Sequence, residues 1–264
     1  MTGFHSNRYI GILLIAAVLF IHCSNGDRKS RKEEDSLAIA VAANMQFAMD
    51  ELVQAFTEET GIQCKVTISS SGKLTAQIKQ GAPFDVFVSA NMKYPNVIYE
   101  SGLAEVPPKV YAHGKLVLWT MKDGIDPSPD ILPWDEIRHI AMANPETAPY
   151  GEAALDVIKD LNQFEKIRSK LVYGESIAQT NQFIITESAE IGFTAMSVVM
   201  SPQLKNKGKW VEIQSTLHRP IEQGVLVINR EGQTGDQGRK FYDFLSSERA
   251  KKILESYGYN TTNL

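Results

Sequence analysis

Small hydroxyl, amide and glycine residues gather at four points in this chain where an apolar run gives way to an amphipathic one. The segments are Ile39-Ala-Val-Ala-Ala-Asn44, Ile68-Ser-Ser-Ser-Gly-Lys-Leu74, Asn144-Pro-Glu-Thr-Ala-Pro-Tyr-Gly151 and Gly174-Glu-Ser-Ile177. A helix start leaves backbone N–H groups unpaired and carries the positive end of the macrodipole. Several such starts aimed at one point hold an anion without a cationic side chain. The chemistry these residues suggest is oxyanion binding by neutral donors.

Each junction also has a plainer reading. Asn44 could offer its N–H, and its amide, to a ligand oxygen, or could cap the next helix. Ser69-Ser70-Ser71-Gly72 would let backbone approach a ligand closely while a hydroxyl donates; it could equally be a Ser-rich capping turn. The Tyr150 amide would point forward from a helix start, or Pro149-Tyr150-Gly151 could be an ordinary turn. Ser176 is an adequate cap, and Ile177 could simply pack. The case rests on four matching junctions.

Signatures of covalent chemistry are absent. There is no Gly-x-x-x-x-Gly-Lys-[Ser/Thr] loop, no Gly-x-Ser-x-Gly elbow and no Gly-x-Gly-x-x-Gly fingerprint. His113, His139 and His218 are scattered and read as surface or capping residues. Asp85 and Glu175 could act as bases, but nothing pairs them with a nucleophile. They are also the carboxylates that could place a hydrogen-bond acceptor near the ligand.

The elements that must position the junctions are short strands alternating with amphipathic helices. Strands are predicted at Leu37–Ala42, Lys65–Ile68, Asp85–Ser89 and Leu116–Trp119. In a second unit they fall at Ile140–Ala143, Leu171–Tyr173 and Ile191–Thr194, and a last one at Gly224–Ile228. Met49, Leu52, Val53 and Phe56 recur at helical spacing, with Gly61 as a stop. Further helices are predicted at Leu74–Lys79, Glu152–Leu161, Ala178–Thr186, Asp236–Ser246 and Glu248–Tyr257, the tail contributing Phe241, Phe244 and Leu245 to the core. The order implies an α/β fold of two lobes, each a mostly parallel sheet flanked by helices. Ligands of such sheets bind at the carboxyl ends of strands. All four junctions lie at such ends, two per unit, so the ligand belongs in the interlobe cleft.

Composition agrees. The 264 residues are 43 % hydrophobic and 22 % charged, enough for two lobes of ordinary size. A net charge of −4 lacks the basic face that nucleic acid requires. A small anion answers to local dipoles instead. Arg8 followed by the apolar run Tyr9–Ile21 reads as an export signal. The run ends at Cys23, ahead of a charged, aperiodic stretch. That pattern resembles a bacterial lipoprotein signal, with Cys23 carrying the lipid, although His22 and Phe20 depart from the usual residues. An ordinary signal peptide or an uncleaved anchor stays open. Cys64 is then a lone thiol, expected to be a small buried apolar residue. The expected division is a signal peptide over 1–22, a lipidated Cys and tether over 23–36, one lobe over 37–118 plus 224–264, and the other over 119–223.

Several segments carry a family likeness: Ala42-Ala-Asn44, Ser70-Ser-Gly72, Ala76-Gln-Ile-Lys-Gln-Gly-Ala-Pro-Phe-Asp-Val-Phe-Val-Ser-Ala90, Gly114-Lys-Leu-Val-Leu-Trp119, Asn144-Pro…Ala148-Pro-Tyr-Gly151 and Ile191-Gly-Phe-Thr-Ala195. Together, over Leu37 to Tyr259, they resemble the periplasmic molybdate-binding proteins of ABC transporters. The resemblance implies a type II periplasmic binding-protein fold, a molybdate or tungstate ligand, and delivery to a membrane permease. It implies ligand contacts at Ala43, Asn44, Ser71, Tyr150 and Ile177. Molybdenum would be held through its oxygens, so no metal is coordinated directly and no cofactor is expected. A monomeric, non-enzymatic protein in the periplasm or at the cell surface follows. Some family members donate a tyrosine hydroxyl from the position of Ala195, so coordination here would rest more on backbone N–H groups. The near alternative is the same fold carrying sulfate or phosphate. An enzyme built on the fold is the more distant one.

Overall fold

The computed structural model describes residues 36–229 and 235–262. The expected export signal and Cys23 lie outside the described residues. The chain folds into two five-stranded sheets. The first sheet contains β1 (Leu37–Ala42), β2 (Cys64–Ser69), β3 (Val86–Ser89) and β4 (Lys109–Gly114). Between them run α1 (Gln46–Thr60), α2 (Ser71–Lys79) and α3 (Lys93–Glu100). The second sheet is built from β5 (Leu116–Thr120), β6 (Ile140–Ala143), β7 (Leu171–Gly174), β8 (Ile191–Ala195) and β9 (Lys209–Glu212). Its helices are α4 (Pro149–Asp160), α5 (Phe164–Ile167), α6 (Ile177–Ile185) and α7 (Met196–Val199). The chain then returns to the first sheet as β10 (Ile221–Val227), followed by α8 (Gly235–Phe244) and α9 (Glu248–Ser256).

The two sheets share one topology. Their strand orders are β2-β1-β3-β10-β4 and β7-β6-β8-β5-β9. In each, the first three strands are parallel and the fourth runs against its neighbours on both sides. The opposed strands, β5 and β10, are the ones that follow a passage between lobes. Each lobe is thus completed by a strand that has come from the other.

This corrects two expectations. Leu116–Trp119 was expected to close the first unit, but β5 pairs with β8 and β9 of the second. The passage lies at Lys115, three residues before the expected boundary at 118/119. The return strand starts at Ile221 rather than Gly224. The first passage is a single residue, Lys115, between β4 and β5, with no turn to mark it, whereas β10 follows a 3-10 turn at Ser215–Leu217 and Pro220.

Side-chain alternation explains why the central strands read as unbroken apolar runs. Leu37, Ile39 and Val41 of β1 face one core with Met49, Leu52 and Phe56 of α1, while Ala40 faces the other with Leu74 and Ile78 of α2. Val86 and Val88 take the first face and Phe87 the second. The tail helices close the first core: the Phe56 and Phe241 rings meet edge to face, centroids 5.1 Å apart. Full burial of each such side chain contributes about 1.5–3 kcal/mol. Cys64 is only half-buried at the edge of this core, and burial pushes its thiol up to about 12, so it stays protonated and inert. Among the described residues no helix is long and apolar enough to cross a membrane.

Candidate functional site

The parallel strands of both lobes end at the same place. β1 runs into a single 3-10 turn, Ala43–Met45, and then α1. β2 runs through Ser70 into α2, whose first residue is Ser71. β6 leads through a loop to α4, with Pro149 first and Tyr150 second. β7 leads through Glu175 and Ser176 to Ile177, the first residue of α6. At these positions an N–H has no carbonyl one turn back to bond. Proline suits the first position of α4, since its missing N–H would have been unpaired there anyway.

The junctions meet across the cleft. Ala43, Tyr150 and Ile177 belong to one apolar cluster that also holds Ala42 and Ala90. Ser71 joins it through its Oγ, which accepts from the Ala90 N–H at 3.1 Å. That bond occupies one lone pair and leaves the hydroxyl proton free to donate elsewhere. Gly72, next to it, donates its N–H to the Thr147 carbonyl of the other lobe at 2.9 Å. A Cβ on Gly72 would stand 3.0 Å from Thr147 Cα and from the Tyr94 hydroxyl, so a side chain there would wedge the lobes apart. All five residues are at least 96 % buried, so the lobes are closed over them.

Ser70 and Ser176 occupy the N-cap positions of α2 and α6, and Ile177 packs in the core. Neither Asn44, Ser70 nor Ser176 makes a side-chain capping bond. The hydroxyls of Ser70 and Thr147 are buried without a hydrogen-bond partner, on opposite sides of the Gly72–Thr147 contact. Buried polar groups without partners are costly unless something else satisfies them.

Asn44 differs from the expectation that its amide faces a ligand. Its Nδ2 donates to Gln223 Oε1 and to Tyr259 Oη, both at 2.8 Å, so both amide protons are committed. Its carbonyl accepts from Ser197 Oγ at 2.8 Å. Its backbone N–H is the donor left for a ligand, and its Oδ1 is buried without a partner. Behind the junctions lies a buried polar hub that the sequence reading missed, comprising Asn44, Gln223, Ser197, Tyr259 and the hydroxyl of Tyr150. Burial pushes the Tyr150 and Tyr259 hydroxyls well above the ordinary phenol range, so both stay protonated; that of Tyr150 has no hydrogen-bond partner. Tyr150 Oη fills the space a Cβ would take on Gly114, at the end of β4, which requires glycine there. A signal existed for Gln223: a fully buried polar side chain in the strand Ile221–Val227, ahead of the apolar run Val225–Val227.

The two carboxylates that could have placed an acceptor at the site do not. Asp85 accepts from the Ala38 N–H at 2.7 Å, near the start of β1. Ala38 is four residue steps from Ala42, roughly 13 Å, so Asp85 is at the far end of the sheet. Glu175 is exposed and forms an ion pair with Lys73 across the cleft rim. The rim cations are all matched: Lys93 Nζ lies 3.0 Å from Glu152 Oε1, and Arg219 grips Asp156 at 2.8 and 3.1 Å. These pairs line a cavity of about 200 Å³ beside the junctions. Among the described residues no group of three or more His, Cys, Asp or Glu, the histidines at 113, 139 and 218 included, could hold a metal ion.

Comparison with known proteins gives the same picture. Residues 37–260 match the profile of the bacterial extracellular solute-binding proteins. The molybdate-binding protein ModA of Rhodobacter capsulatus is 38 % identical over 225 residues, 84 % of this chain and 87 % of the relative. ModA of Azotobacter vinelandii is 35 % identical over 223 residues, 84 % of this chain and 88 % of the relative. The structure of the Azotobacter vinelandii periplasmic molybdate-binding protein superposes with a TM-score of 0.79 at 30 % identity, covering 85 % of this chain and 98 % of that one.

Proposed function

The chain belongs to the bacterial extracellular solute-binding proteins, and from that premise we propose that it captures molybdate outside the cytoplasm and delivers it to the permease of an ABC transporter. Its relatives at 35 and 38 % identity are molybdate-binding proteins. What supports the reading is that four strand-to-helix junctions, two in each lobe, carry the assigned residues, and that Ser71 Oγ accepts from the Ala90 N–H and keeps its proton to give. In this reading the N–H groups of Ala43, Asn44, Tyr150 and Ile177 and the Ser71 hydroxyl surround the oxygens of the anion. A hydrogen bond to a charged group contributes about 1.5–3 kcal/mol, so a handful gives tight binding with no fixed countercharge. Reopening at the permease then separates no ion pair at the ligand itself.

Tungstate, with the same shape and charge, is proposed as a second ligand. The relatives are binding proteins, which suggests a transport role rather than catalysis. No cofactor and no directly coordinated metal enter this reading, and the protein acts as a monomer, held at the membrane surface by a lipid on Cys23. Titration calorimetry with molybdate, tungstate, sulfate and phosphate tests the assignment. One-to-one binding of molybdate and tungstate is expected, with sulfate and phosphate weak. A chain that binds sulfate and ignores molybdate would overturn it.

A further inference from the structure

We infer that Tyr259, carried on the C-terminal segment, is a positioning residue of the anion site; the inference rests on the molybdate reading above. After α9 the chain does not simply end. Asn260 and His113 exchange both backbone hydrogen bonds, at 2.7 and 2.9 Å, which straps the tail onto β4 beside the passage between lobes. The strap delivers Tyr259, 4 % exposed, to the underside of the first junction. Its hydroxyl lies 2.8 Å from Asn44 Nδ2, 3.2 Å from the Asn44 carbonyl and 3.1 Å from Ser197 Oγ.

A hydroxyl has one proton and two lone pairs. Tyr259 accepts from the Asn44 amide and gives its proton to the Asn44 carbonyl or to Ser197. Ser197 also donates to that carbonyl, at 2.8 Å. Ser197 stands on α7 of the second lobe, whereas Asn44 and Tyr259 belong to the first. The Asn44 carbonyl is therefore met by donors from both lobes.

The consequence concerns an anion directly. The Ala43–Met45 turn stands at the cleft, and each of its peptide units presents N–H one way and C=O the other. A carbonyl swung toward the cleft would repel an oxyanion. Tyr259 and Ser197 hold it on the inner side; the Met45 N–H, which shares its peptide plane, then points the opposite way, and the helical run of the turn aligns the Asn44 N–H with it. Because one of the two donors comes from the second lobe, the same contacts hold the closed form. Loss of the Tyr259 hydroxyl should therefore speed ligand release, leaving the encounter of molybdate with the open cleft unchanged.

The test uses the full chain, with sodium molybdate as the probe and stopped-flow fluorescence for association and release. Tyr259→Phe keeps the ring and removes only the hydroxyl. It is expected to release molybdate about tenfold faster, the worth of roughly one hydrogen bond, with the association rate unchanged. The ligand-free melting temperature should fall by no more than about 2–4 °C. Ser197→Ala, which leaves the tail intact, should shift release in the same direction. The double variant should show less than the sum, since both donors serve one carbonyl. A Tyr259→Phe protein that melts earlier but releases molybdate at the unsubstituted rate has lost structure only, and overturns the inference. If Tyr259→Phe does not fold, Ser197→Ala decides alone, and unchanged release in it overturns the inference equally. A failure of the unsubstituted chain to bind molybdate strikes the underlying reading instead, and is seen before any variant is made.

Discussion

Replacement of Ser71 by alanine isolates the one side-chain donor assigned to the ligand. Ser71 Oγ accepts from the Ala90 N–H at 3.1 Å and has its proton left to give. In the bound state that proton would meet a charged oxygen, a bond worth about 1.5–3 kcal/mol. At 1.4 kcal/mol per decade, Ser71→Ala should weaken molybdate binding roughly 10- to 150-fold. The substitution also leaves the buried Ala90 N–H without its acceptor, at a cost of about 1–3 kcal/mol to the fold. That cost falls on free and bound protein alike, so it lowers the melting temperature without entering the affinity. Ser71 is the first residue of α2 rather than its cap, and no capping bond is lost. Calorimetry gives the affinity, and a melt of the ligand-free variant gives the fold cost separately. A Ser71→Ala protein that melts earlier yet binds molybdate within twofold of the unsubstituted chain would remove Ser71 from the site and refute the reasoning.

Other substitutions and ligands bear on neighbouring parts of the account. Gly114→Ala places a Cβ where the Tyr150 hydroxyl sits, and should destabilise the closed form severely; adding Tyr150→Phe should restore part of the loss, as read by thermal melts, and no restoration would mean the strain lies elsewhere. Phosphate should fail to displace molybdate at comparable concentration in equilibrium competition. A protonated phosphate oxygen needs an acceptor, and Asp85 and Glu175 are both directed away; displacement would point to the unpartnered Asn44 Oδ1 as that acceptor. Cys23→Ser should release the protein from membranes on fractionation, whereas unchanged partition with the export segment retained would indicate a helical anchor.

Much of this arrangement was legible in the amino-acid sequence, for local reasons. A strand covered on both faces must be apolar throughout, which exposed Leu37–Ala42 and Ile140–Ala143. Met49, Leu52 and Phe56 face one core at helical spacing, so α1 was readable. The junctions were readable because small polar residues interrupt these patterns where strand becomes helix. Other elements lacked a local signature. β9 is exposed at every residue and β4 is half-buried and contains His113 and Gly114, so neither shows strand alternation. α3 carries Pro95 at its third position, which obscured it. The passage of the chain at Lys115 was invisible, since a strand's own residues do not say which sheet it joins. The hub behind the site was hidden for a related reason. Asn44 meets Gln223 and Tyr259 across 179 and 215 residues of chain, and nothing near Asn44 announces that its amide is already taken. The sequence shows Asn44 at a strand-to-helix junction, but not that its amide protons are already taken.

The central claim is that a tetrahedral oxyanion is held by helix starts and one hydroxyl, without a cationic side chain. The anomalous signal of molybdenum in crystals grown with molybdate tests it most directly. The expected result places the metal between the lobes, with its oxygens about 2.7–3.2 Å from Ser71 Oγ and from the backbone nitrogens of Asn44, Tyr150 and Ile177, and no lysine or arginine nitrogen among the contacts. Molybdenum in the rim cavity against Lys93 or Arg219, or oxygens held by either cation, would contradict it.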